Sequence, residues 1–282
     1  MALHAVAVAD GVVPKASAIF DLIGSLTDTQ FMERWERATS SLVDADNRVR
    51  LTYGSVSARW IPVKPMITPL SALLAHARDA KLGADAYEKI DRWYWGSVFS
   101  ERYDSAVNTT ATRDVAEMRI WLDGGDAPAW RTRLTKDGLS VDLDVGSRSA
   151  IYRGVISLLA ARQSVDFNTA QPANLHECDD DHIFPRSVYR SKASVDRLPN
   201  RALISSATNK SKSKKRPSQF LPLFLKGHGN NVASLDETLS THLIGPAAKA
   251  ALEADDFDAF VEARAQDMRS AIADATGLPV KG

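Results

Sequence analysis

Residues 171 to 216 interrupt the apolar periodicity that runs through the rest of the chain, and this interruption constrains the fold more than any other feature. The stretch is polar and basic, and Pro185, Pro199 and Pro217 break it into short pieces. On both sides apolar residues return at helical spacing. Ile19, Phe20, Leu22 and Ile23 mark a helix over residues 16 to 26, and Thr27 or Asp28 is placed to cap the next one, which carries Phe31, Met32 and Trp35. Residues 38 to 68 contain Gly54, Pro62, Pro65 and a β-branched run near residues 49 to 53. Loops with one short strand are expected there. Pro69 is expected to start a helix. Further helices are expected over residues 85 to 103, 110 to 122 and 147 to 161, the last one buried. After the break, Ser234 or Asp236 is expected to cap a short helix, and residues 255 to 275 form a long one. The expected fold is mainly α: a helical domain over residues 1 to 165, a small polar module over 166 to 220, and C-terminal helices over 221 to 282 that pack on the body.

Composition narrows the functional classes. The chain has 282 residues, 44% of them hydrophobic and 25% charged, as in an ordinary globular protein. Its one cysteine, Cys178, excludes an internal disulfide framework and any zinc site built on two cysteines. No apolar run approaches the ~20 residues that span a bilayer, so no membrane partner is expected. The first residues lack the basic start and apolar stretch of a secretory signal. A reducing, cytoplasmic setting is therefore expected.

Formal net charge is zero, with 35 Lys and Arg against 35 Asp and Glu, yet the balance fails locally. From His182 to Arg216 the chain carries Arg186, Arg190, Lys192, Arg197, Arg201, Lys210, Lys212, Lys214, Lys215 and Arg216 against the single acid Asp196. Such a patch calls for an anionic partner. Upstream stands His176-Glu-Cys-Asp-Asp-Asp-His-Ile-Phe-Pro185. Downstream come Asn200 and, nine residues later, Asn209. Neighbouring residues on a strand point to opposite faces, so Asp181 and His182 can serve two sides of one reacting group. The Asp181 carboxylate and the Asn209 amide are oxygen donors suited to one hard divalent ion, Mg²⁺ or Mn²⁺, with water and phosphate completing its shell. A histidine off the metal titrates near neutrality and can deprotonate water. Lys210, Lys212, Lys214, Lys215 and Arg216 follow directly and fit contacts to a DNA backbone.

Other readings stand beside these. The three aspartates could form only a solvated acidic turn. His176 and Glu177 fit a structural place better than a metal shell. Cys178 reads as a buried strand residue, and Trp93-Tyr94-Trp95 reads as core rather than as a platform for stacking bases.

The ordered set Asp181-His-Ile-Phe-Pro185, Asn200 and Asn209 resembles the HNH, or ββα-metal, nuclease motif. The nine-residue interval, with Lys212 three residues after the second Asn, is similar to the HNH domain of RNA-guided CRISPR nucleases. The resemblance implies an embedded ββα module in which His182 is the catalytic general base, Asn200 orients the His182 loop, and Asp181 and Asn209 hold the metal. Lys212 and Lys210 would then touch DNA phosphate or the transition state. The flanks resemble the C-terminal half of GmrSD-type restriction proteins. The matching residues are Arg92-Trp-Tyr-Trp95, Glu101-Arg-Tyr103, Asn200-Arg-Ala-Leu203, Asn209-Lys-Ser211, Pro217, Phe257, Phe260 and Arg264, over about residues 60 to 280. That family implies a DNA-nicking endonuclease in restriction or phage defence, coupled to a ParB-like nucleotide-hydrolysing half. The DGQQR-like element of that half is absent here, as is a P-loop, so the half is expected in a separate or longer polypeptide. A homo-oligomer is compatible with the sequence. The alternative is a DNA-binding or scaffold module whose HNH site is degenerate or depends on a partner.

Overall fold

The computed structural model describes residues 1 to 281 except 163, 164, 170, 172, 173, 175 and 176, and for Asp179 it describes the backbone alone. The protein is mainly α, and the chain divides into two compact units. Residues 1–52, 63–140 and 273–281 form the first; residues 53–62 and 141–272 form the second.

In the first unit, α1 (Ala2–Ala9) and α2 (Ala16–Gly24) precede α3 (Asp28–Asn47). Thr27 caps α3 through a capping box with Gln30, which satisfies backbone donors at the helix start. The expected strand near residues 49 to 53 does not form. Instead the chain leaves α3 through a π-helical turn, Arg48–Thr52, which buries Val49 completely. Burial of Val49 in a continuing helix overrides the local β preference of that run. Next come α4 (Ile67–Asp79), α5 (Ala84–Phe99), α6 (Val107–Leu122) and α7 (Ala129–Asp137). Pro69 is the third residue of α4, not its start; a 3-10 turn, Lys64–Met66, leads in. β1 (Leu139–Ser140) pairs in parallel with β4 (Val280–Lys281). Trp93, Tyr94 and Trp95 are buried, as core residues. Asp114, fully buried on α6, accepts hydrogen bonds from Trp93 Nε1 and Tyr103 Oη, each at 3.0 Å, and pairs with Arg102. A buried carboxylate is stable only with such partners.

The second unit is built around an antiparallel ladder of two short strands. Its helix α8 (Ala150–Ala161) starts at the N-cap Ser149, whose side chain accepts from Ile151 N at 3.1 Å. Gly54, at φ +72°, lets the chain pass close over α8, where a Cβ would fall 2.3 Å from Ser157 O. Strands β2 (Cys178–His182) and β3 (Arg201–Ser205) pair so that Asp181 faces Ala202 and His182 faces Arg201. A short α9 (Arg186–Tyr189) lies between them, and α10 (Ser206–Lys212) follows β3. Then come α11 (Pro217–Gly227), α12 (Val232–Thr241), α13 (Pro246–Glu253) and α14 (Phe257–Thr276), whose last residues from Ala273 belong to the first unit. The cap of α12 is Asn231, not Ser234 or Asp236; its side chain accepts from Ser234 N at 3.2 Å.

The prolines that break the sequence mark the starts of elements. Pro185 is the N-cap of α9, Pro199 lies in a 3-10 turn, and Pro217 opens α11. Under the ladder lies one apolar cluster including Ile183, Phe184, Ala202, Ile204, Phe220, Phe224, Leu239, Phe257 and Phe260. A two-stranded ladder is marginal alone in water, so this cluster supplies most of its support.

Two buried polar side chains complete the packing. Arg264, fully buried on α14, donates to Pro199 O at 2.8 Å, Arg201 O at 2.6 Å and His242 O at 3.0 Å. His242 hydrogen-bonds through Nε2 to Val165 O at 2.7 Å. Burial, reinforced by the charge of Arg264, lowers its pKa to about 4. In the unfolded chain the value is about 6.5. Between those two values the unfolded state binds the extra proton, so stability must fall as pH drops from about 6.5 towards 4, by up to about 1.4 kcal/mol per pH unit for this group. Urea unfolding of wild type and His242→Gln across that range checks this: the variant is expected to show the shallower dependence, and parallel curves would remove His242 from the account.

Candidate functional site

The site is assembled by the register of β2 and β3 and by the loop that joins them. Asn200 is fully buried just before β3. Its Oδ1 accepts from Phe184 N at 2.8 Å, while Nδ2 donates to Phe184 O at 3.1 Å and to Val195 O at 2.8 Å. An amide with one acceptor and one two-proton donor can hold all three groups at once. It therefore fixes the two ends of the connection that leaves His182 and returns to β3.

Alternation along the strands sorts the acids. Asp180 meets α8: it hydrogen-bonds Tyr152 Oη and lies 3.3 Å from Arg201 Nη2. Arg201 also donates to Tyr152 Oη at 3.1 Å and to Asp180 O at 2.7 Å. Burial pushes the Tyr152 hydroxyl well above its usual range. Asp181 points the other way, towards α10, with Oδ2 3.3 Å from Lys212 Nζ. Its Oδ1 lies 3.6 Å from His182 Nδ1. Burial alone would raise the Asp181 carboxyl, but its contacts with His182 and the charge of Lys212 outweigh it and hold the group well below the usual carboxylate range. The carboxylate is thus ionised at neutral pH.

His182 ends β2 with its ring mostly covered. Nε2 lies 2.8 Å from Asp196 Oδ1, and Arg201 Nη1 stands 2.9 Å from Nδ1. Of the basic run, Lys212 is turned inward. Its side chain is 3% exposed, and its ammonium contacts Asp181 and donates to His182 O. Lys210, Lys214 and Arg216 are exposed, and Lys215 is half-buried with Nζ donating to Ser211 O at 2.8 Å. Lys212 therefore braces the strand end instead of presenting its charge at the surface.

Asn209 is exposed on α10, three residues before Lys212 and so on the same side of the helix. The donors offered are of one chemical kind, an ionised carboxylate and a neutral amide oxygen, and this kind suits Mg²⁺ or Mn²⁺. Among the described residues no group of three or more His, Cys, Asp or Glu gathers for a metal. An ion here would draw most of its shell from water and phosphate, and would share Asp181 with Lys212.

Cys178 is buried in β2, as read from the sequence. Glu177 is exposed, and His176 lies outside the described residues. The sequence reading passed over Tyr152, Asp180 and the contacts of Arg201 and Asp196. Only Asp196 left a signal, as the lone acid in a basic stretch. It also passed over Asp166, whose carboxylate accepts from Ser205 Oγ at 2.6 Å and Thr208 Oγ1 at 2.7 Å and so anchors the start of α10.

No family model matches the chain, and no solved structure matches it. Among curated proteins it is similar to a protein of Methanocaldococcus jannaschii described only as uncharacterized, at 25% identity over 260 residues. That match covers 85% of this chain and 42% of the archaeal protein, so the chain spans less than half the length of its relative. No helix among the described residues is long and apolar enough to cross a membrane.

Asn200→Ala removes three buried hydrogen bonds and leaves the Phe184 and Val195 backbone groups unmatched. At roughly 1–3 kcal/mol for each buried group left unsatisfied, a loss of about 3 kcal/mol or more is expected in urea unfolding. A loss under about 1 kcal/mol would mean that the loop is held by other contacts.

Proposed function

We propose that the chain is an HNH-class endonuclease that hydrolyses DNA with one divalent ion per site and cuts one strand at a time. The observation that carries this reading is the strand–strand–helix order β2–β3–α10, in which Asp181 and His182 end one strand, buried Asn200 pins the loop between the strands, and an exposed basic run follows the helix.

In this reading Asp181 and Asn209 would hold the ion, which when bound would relieve charge on the phosphate and the leaving oxygen. His182 takes a proton from water as the water oxygen attacks phosphorus, the bond to the leaving oxygen breaks, and that oxygen takes its proton from solvent. Asn200 keeps the His182 loop in register without touching substrate. Lys210, Lys214, Lys215 and Arg216 neutralise backbone phosphates and read no sequence. Lys212 acts from beneath by holding Asp181 and the His182 carbonyl. The ParB-like half implied by the family resemblance belongs to the proposal as a partner, and restriction or phage defence as the setting.

One observation favours the second reading, a DNA-binding module that does not cut. Lys212 already places an ammonium on Asp181, and a like charge at that distance weakens the hold on a divalent ion.

Incubation of supercoiled plasmid with the protein and Mg²⁺ or Mn²⁺ separates the two. Open-circular product is expected from wild type and none with EDTA. His182→Ala should bind DNA on a gel without nicking it. For Asn209→Ala the Mg²⁺ titration of nicking should shift to higher concentration. Nicking by His182→Ala at the wild-type rate would remove the proposed base, and retarded DNA with no product from wild type would favour the binding module.

A further inference from the structure

Asp196 ends a 3-10 turn, Ala193–Asp196, in the connection between β2 and β3. Its Oδ1 lies 2.8 Å from His182 Nε2, and its Oδ2 lies 3.2 Å from Arg186 Nε. The second ring nitrogen of His182, Nδ1, faces Asp181 at 3.6 Å and Arg201 Nη1 at 2.9 Å. An ionised carboxylate only accepts, and a guanidinium only donates. Asp196 is within hydrogen-bond distance of Nε2, whereas Asp181 lies farther from Nδ1, at 3.6 Å, so the nearer carboxylate favours a neutral ring with its proton on Nε2 and its lone pair on Nδ1. Arg201 Nη1 lies 2.9 Å from Nδ1 and 2.8 Å from Nε2, nearly equidistant, so the guanidinium does not choose between the two nitrogens. The same connection is clamped at Val195, the neighbour of Asp196, by the Asn200 amide at 2.8 Å. The carboxylate is therefore delivered to the ring by a fixed backbone.

We propose that Asp196 is the positioning residue for His182: it selects the Nε2–H tautomer, orients the ring, and leaves Nδ1, the nitrogen on the Asp181 side, as the base. The catalytic part of this inference rests on the nuclease reading; the tautomer does not. Orientation by a second group is what makes a histidine base efficient, because the other ring nitrogen must carry the proton. Asp196 is half exposed, at 51% for its side chain, so its replacement is expected to leave the fold intact.

The test has a spectroscopic and a kinetic arm. Long-range ¹H–¹⁵N correlation of the histidine rings at mildly alkaline pH, with the His182 signals assigned by their loss in His182→Ala, reports the tautomer directly. Wild type and Asp196→Glu are expected to show His182 protonated on Nε2. Asp196→Ala is expected to show a mixture with the Nδ1–H form. In plasmid nicking, Asp196→Ala should lower kcat about 10- to 100-fold with KM for DNA unchanged, and Asp196→Glu should recover part of the loss. A wild-type ring protonated on Nδ1, or an Asp196→Ala ring still wholly on Nε2–H, overturns the proposal. So does an unchanged kcat in Asp196→Ala when wild type nicks. Wild type that fails to nick yet shows the Nε2–H ring tied to Asp196 overturns the nuclease reading and leaves the pairing standing.

Discussion

The polar architecture of the second unit depends on how one amide and one guanidinium hold backbone that no ladder or helix satisfies. Asn200 closes on Phe184 and Val195, and Arg264 gathers the carbonyls of Pro199, Arg201 and His242. Both side chains are fully buried, where a missing hydrogen bond is far more costly than at the surface. Between them they fix both sides of the turn that starts β3. Once that turn is fixed, the register of β3 on β2 follows, and the register decides which acid faces which helix. The apolar cluster beneath the ladder supplies the bulk of the burial, and by burying Ala202 and Ile204 on one face it works with the fixed turn to specify the register.

From that register the electrostatics follow in two layers. On one face Asp180, Tyr152 and Arg201 form a closed set that holds the guanidinium beside His182. On the other, Asp181 meets Lys212 from α10. His182 stands at the strand end between the layers, with Asp196 closing over it from the connection. Charge is nearly compensated within this small region, so that mutual attraction and hydrogen bonds offset the desolvation of four ionic side chains that lie half-buried or deeper. The exposed lysines and Arg216 remain outside this balance and carry the local positive charge.

Much of this was legible in the sequence, for reasons that differ by element. α3 declares itself through Thr27, which satisfies backbone donors at its start, and α8 through its apolar run. The break at residues 171 to 216 and the ordered His182, Asn200 and Asn209 gave the position of the ladder and its following helix. The run near Val49 misled because β-branching is a weak local preference, and the continuation of α3 into a π-helical turn that buries Val49 completely overrides it. The inward turn of Lys212 is set by a feature that the local sequence does not show. Spacing shows that a lysine is near the site, but the face of a seven-residue helix that meets the ladder is set by Asp166, Ser205 and Thr208, and nothing in the local pattern marks Asp166. Tyr152 lies too far along the chain from His182 for any motif to connect them, and Arg264 is marked only by the resemblance of the closing helix.

The central claim is that water, deprotonated by His182 beside Asp181, attacks a DNA phosphate. Single-turnover cleavage of a plasmid in ¹⁸O-labelled water with Mg²⁺ or Mn²⁺, followed by mass spectrometry of the new ends, tests it most directly. The account predicts one ¹⁸O atom in the terminal phosphate of each nick made by wild type and no product from His182→Ala. Unlabelled ends, or equal product from both proteins, would contradict it.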